Sequence, residues 1–134
     1  MNIVEVEGIG PAYAEKLAGA GITTTDALIE RCGSSSGREA VAAATGIGAD
    51  QLLKWVNHVD LIRINGVGSE YADLLEAAGV DSPAELAQRN AANLAQTFQE
   101  VDAARPNWIR QIPSEATIAG WIAEAKTMDK VVSH

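Results

Sequence analysis

The chain has 134 residues, with 18 acidic against 10 basic side chains, a formal net charge of −8 and a single cysteine. Residues 1–62 hold 8 acids and 4 bases and residues 63–134 hold 10 and 6, so neither half is a basic module suited to tight, non-specific nucleic-acid binding or to an anionic membrane surface. One cysteine excludes an internal disulfide and a multi-cysteine metal site, and no leader-like start or long apolar run is present, so a cytoplasmic protein without membrane contact is expected.

Every strongly periodic segment has helical spacing, and alanine is abundant where strand alternation would be needed, so the sequence predicts an all-α fold. A first helix follows Gly10, with Pro11 suited to its first position and Gly21 to its C-cap. A second starts among Thr23, Thr24 and Thr25 and runs to about Cys32, where Gly33-Ser-Ser-Ser-Gly37 reads as a flexible loop. Cys32 itself reads as a small buried hydrophobe. Ser36 and Glu39 have capping-box spacing for a third helix that ends at Thr45-Gly46, and a fourth covers about residues 49–58. The order then repeats. Helices are expected over about residues 69–78, from Ser82-Pro83-Ala84-Glu85 with a capping box, over about residues 91–104, and from Ser114 to about Thr127. The tail after Asp129 has no pattern and is expected to fray.

The repetition is visible in the residues. Residues 6–22 return 58 positions later as residues 64–80, with seven of seventeen positions identical, among them Gly8/Gly66, Gly10/Gly68, Tyr13/Tyr71, Leu17/Leu75 and Gly21/Gly79. In the last helices, Trp55 corresponds to Trp121 at an offset of 66, which places eight inserted residues in the segment 101–113. The expected organisation is therefore two duplicated units, residues 1–62 and 63–128, followed by the tail 129–134.

The repeated element is Gly-apolar-Gly ahead of a helix: Gly8-Ile9-Gly10, Gly66-Val67-Gly68, and a third copy at Gly46-Ile47-Gly48. Two glycines permit a tight turn, the apolar residue between them plugs the core, and the second exposes backbone N–H groups at a helix start, where an anion is favoured. At these residues the sequence resembles the helix-hairpin-helix superfamily. The resemblance implies two tandem double helix-hairpin-helix units whose hairpins contact DNA phosphates without reading sequence. Over about residues 3–127 the chain resembles a bacterial family of such tandem proteins with no assigned activity. In the second unit the fourth hairpin is replaced by Ile112-Pro113-Ser114.

Charges beside the hairpins oppose a phosphate. Glu5, Glu7 and Glu15 surround the first with only Lys16 against them, and Glu70, Asp73 and Glu76 surround the one at Gly66 with Arg63 the nearby base; Lys54 and His58 follow the hairpin at Gly46. The inserted segment is locally basic and contains Arg105, Trp108 and Arg110. Such a loop can anchor a protein partner or stack on a base, while the simpler alternative is that Trp108 and Ile109 tuck over the second core. Trp55 and Trp121, at equivalent positions, read as packing residues.

Gly33-Ser-Ser-Ser-Gly37 fits the Gly-x-Ser-x-Gly pattern, but a nucleophile elbow needs a preceding strand and here two helices flank it. The histidines are His58 and His134 alone, with no calcium-loop, Walker or dinucleotide motif. Catalysis has no residue to rest on. The sequence therefore points to a non-enzymatic binding or scaffolding protein with no cofactor, metal or small-molecule substrate. Its acidic surface and the Trp108 loop favour a protein partner; its hairpins favour weak nucleic-acid backbone binding.

Overall fold

The computed structural model describes residues 1–6 and 8–134, and among these the backbone forms a 3₁₀ turn (Ile3–Glu5) and eight α-helices, with no strand. The helices are α1 (Pro11–Gly19), α2 (Thr25–Cys32), α3 (Ser35–Thr45), α4 (Ala49–Ile62), α5 (Ser69–Ala77), α6 (Pro83–Ala87), α7 (Ala91–Ala104) and α8 (Glu115–Ala125). The all-α expectation holds.

Their starts follow from side chains that accept orphan N–H groups. Thr24, Ser34, Ser82, Asn90 and Ser114 each accept from the amide three residues on, opening α2, α3, α6, α7 and α8. The cap of α3 is Ser34 rather than Ser36, because the Ser34 hydroxyl accepts from Gly37 N–H at 3.0 Å. The glycine-serine stretch is consequently a corner of two residues, not a flexible loop. Gly37 makes that corner possible, since a Cβ there would collide with the Arg31 carbonyl. At α6 the capping box is only half formed: Ser82 accepts from Glu85 N–H, but the Glu85 carboxylate turns to Arg89 at 3.1 Å. The fourth helix runs on past His58 to Ile62, since no breaker intervenes before Asn65-Gly66.

The chain divides into two compact units, one made of Met1–Asp60 with Lys130–His134 and the other of Leu61–Asp129. The expected frayed tail instead lies against the first unit. Val132 is 1% exposed within the first unit's core, and Ser133 N–H donates to the Gly33 carbonyl at 2.8 Å. That core is built from Leu17, Ile22, Leu28, Leu52, Trp55 and Val56, among others, with Cys32 buried in it. Burial pushes the Cys32 thiol above its ordinary pKa, so it behaves as a hydrophobe. In the second unit α8 packs on α6 and α7 around Leu74, Leu75, Val80, Leu86, Phe98 and Ile118.

Inside each unit the same local contacts occur at corresponding positions. Tyr13 meets Trp55 with ring centroids 5.1 Å apart, and Tyr71 meets Trp121 at 5.3 Å. Gly21 and Gly79, at φ +84° and +90°, close α1 and α5 with six-to-one bonds, Ile22 N–H to Leu17 O at 2.9 Å and Val80 N–H to Leu75 O at 2.8 Å. Arg31 then donates to the Ala20 carbonyl at 2.9 Å, whereas Arg89 reaches one repeat position further on, to the Gly79 carbonyl at 3.2 Å. Arg31 and Arg89 are themselves 58 positions apart. Identity at that offset, beyond the seventeen-residue match, was the signal for this clamp.

Candidate functional site

The hairpin glycines divide into two kinds. Gly8 and Gly66 sit at φ +90° and +87°, a left-handed conformation that side chains resist, and a Cβ on either would lie 3.3 Å from the indole Nε1 of Trp55 or Trp121. They are packing glycines, laid over the tryptophans. Ile9 and Val67 plug the cores at 3% and 4% exposure, held by turn bonds to Val6 O and Ile64 O, each 3.0 Å. Glu7, expected beside the first hairpin, lies outside the described residues.

Gly10 and Gly68 are different. Each has an extended backbone, caps α1 or α5 without a side-chain hydrogen bond, and has no atom within 4 Å of where its Cβ would stand. At the third hairpin Gly46 closes α3 in the left-handed region, φ +76°, buried Ile47 donates to Thr45 Oγ1 at 3.2 Å, and the Gly48 carbonyl accepts the first bond of α4. Lys54 is exposed on α4. The starts of α1 and α5 have no side-chain cap, and in the second unit two acidic side chains bond backbone amides outside the first turn of α5. Glu124 accepts from Asn65 N–H at 2.9 Å, and Glu70 accepts from Arg110 N–H at 2.9 Å. After Ile112-Pro113 the Ser114 hydroxyl supplies the cap of α8.

The inserted loop is ordered against α5. Besides the Arg110–Glu70 bond, Tyr71 Oη donates to the Gln111 carbonyl at 2.9 Å, and Asn107 takes the left-handed turn at φ +68°. Ile109 is buried, and Trp108 is half-buried against the second core. The Arg105 guanidinium lies over the Trp108 ring, 4.2 Å from its centroid, while the Arg110 side chain is 93% exposed, its Nε 3.9 Å from Glu70. The segment therefore offers two guanidinium groups on a fixed frame, and Trp108 serves as the seat for one of them.

A family model described as a domain of unknown function matches residues 7–128. The chain belongs to the DUF4332 family. The DUF4332 match takes in all three hairpins and the whole Arg105–Arg110 loop, and it leaves residues 130–134 outside. Comparison with curated proteins and with solved structures finds no match. No helix among the described residues is long and apolar enough to cross a membrane.

Proposed function

We propose that the protein is a non-enzymatic binding or scaffolding protein that acts through protein–protein contacts in the cytoplasm, with Arg105, Trp108 and Arg110 as its partner-binding loop. The supporting observation is that this loop is held in one shape yet turns its cations outward: the Arg110 amide and the Gln111 carbonyl are bonded to α5, and Arg105 is stacked on a seated Trp108. A pre-shaped pair of guanidinium groups loses little freedom on binding and suits the carboxylates of a protein surface. No residue between Ala104 and Pro113 carries a negative charge. An acidic patch on the partner is the chemistry that fits.

We also read the two units as duplicated double helix-hairpin-helix modules. The equal torsions of Gly8 and Gly66, the equal indole contacts and the paired Arg31 and Arg89 clamps support descent from one module. Trp108 is best left intact in a test, because it packs on the core. Tagged wild-type protein and an Arg105→Ala, Arg110→Ala variant, cross-linked and purified from the native host, should differ in one respect: the variant keeps its helical circular dichroism and loses the partner. Recovery of the same partner in equal yield would overturn the assignment.

A second reading, weak binding of a nucleic-acid backbone, is favoured by the uncapped, open starts of α1 and α5. Such binding would be salt-sensitive and indifferent to base sequence, since N–H groups read phosphates. Under it, Lys54→Glu should weaken the complex more than Lys16→Glu: Lys54 follows the least acidic hairpin, whereas Lys16 lies over the Tyr13 ring at 5.8 Å. An equal or reversed effect in a mobility-shift titration would remove the Gly46 hairpin from consideration.

A further inference from the structure

Residues 130–134 lie along the corner between α2 and α3, and the way they are held is unlike the rest of the first unit. Val131 is 43% exposed and Val132 1%. One side chain is buried. The main chain supplies most of the rest: Ser133 N–H donates to Gly33 O at 2.8 Å, and Ser133 O accepts from Arg38 Nη2 at 2.7 Å. The His134 ring meets the Asn57 side chain at 2.8 Å.

Part of the receiving surface is tied to the corner itself. Arg38 is 5% exposed, and its Nη1 donates to Cys32 O at 3.1 Å and Gly33 O at 2.9 Å, both from the corner itself. The guanidinium is thereby fixed, with Nη2 presented to whatever carbonyl lies in front of it. Among the described residues, the hydrogen-bond partners of Arg38 are carbonyls. A Cβ at Gly33 would stand 2.5 Å from the Val131 carbonyl and 2.6 Å from the Ile29 carbonyl of α2, so only glycine leaves room there for both backbones. A surface of this kind recognises peptide backbone and one apolar side chain, the usual division of labour when an extended peptide is bound.

We infer that the α2–α3 corner of the first unit is a docking groove for an extended peptide, occupied by the chain's own residues 130–134 as a releasable strap. The groove residues Gly33, Arg38 and Asn57 fall within the family match at residues 7–128, and the strap falls outside it. One buried valine and four polar contacts hold the strap, so it opens at lower free energy than the helices beneath it.

Hydrogen exchange on the whole wild-type chain tests the release. The Ser133 amide should exchange about tenfold or more faster than the Ile22 amide, which closes α1 in the same unit. Exchange of the two in step would show the strap to be integral and overturn the inference. Occupancy is tested with full-length Val132→Asp and a labelled peptide of residues 129–134. The variant should keep its helical circular dichroism and bind the peptide saturably, about tenfold or more tighter than wild-type chain does, while the peptide carrying the same substitution should not bind. Equal binding to both chains, no binding to the variant, or loss of its helical signal would each contradict a releasable strap.

Discussion

Replacing Leu75 with alanine is expected to lower the stability of the protein by about 2 to 5 kcal/mol, the range observed when a buried leucine is truncated and its cavity collapses only in part. Leu75 is fully buried on α5, and its carbonyl accepts the Val80 amide that closes that helix beside Gly79. The side chain therefore fills the second core at the point where α5 turns back. Leu17 holds the matching place on α1, also fully buried, with its carbonyl accepting from Ile22. The same truncation there should fall in the same range. Urea unfolding followed by circular dichroism measures both; a midpoint shift equivalent to under about 0.5 kcal/mol would show that the position is not core.

The hairpin glycines give the second large effect, and it should separate by position. Gly8→Ala and Gly66→Ala should each cost about 1 to 3 kcal/mol, because alanine is strained at these torsions and its methyl group presses on an indole. Gly10→Ala and Gly68→Ala should stay within about 0.5 kcal/mol, since both have negative φ and open space. Thermal melts of the four variants check this. If Gly8→Ala or Gly66→Ala melted with wild type, the indole contact would not constrain these glycines. The split matters for function, because only the second glycine of each pair can be changed to probe ligand binding without disturbing the fold.

The Gly-apolar-Gly turns ahead of the helices were legible in the sequence because their requirements are local. A glycine that must turn left-handed, a buried Ile9 or Val67 and a helix start all lie within five residues, and the repeat at an offset of 58 doubles the signal. The α2–α3 corner was not, although its residues were conspicuous. Ser34 and Ser36 both carry a capping hydroxyl, and the choice between them depends on how closely Gly37 approaches the Arg31 carbonyl, a packing fact that spacing does not carry. The tail was misread for a similar reason. Val131-Val132 has no periodicity of its own, and Val132 is buried by a surface prepared around Gly33 and Arg38, about a hundred residues earlier in the chain. A lone arginine that donates only to carbonyls leaves no pattern in a sequence. At the inserted loop, the break in the repeat drew attention to the segment, while the seating of Trp108 and the outward placement of Arg105 and Arg110 needed the bonds to Glu70 and Tyr71.

The choice of a protein partner over nucleic acid is most directly tested by a mobility-shift titration of the whole protein with duplex, branched and single-stranded DNA and with RNA, at low and at physiological salt. With a net charge of −8 and carboxylates beside the hairpins, the protein should form no complex at physiological salt, or one only well above about micromolar concentration that vanishes as salt is raised. A submicromolar complex with any of these nucleic acids at physiological salt would contradict the account and make the hairpins, rather than the Arg105–Arg110 loop, the binding surface.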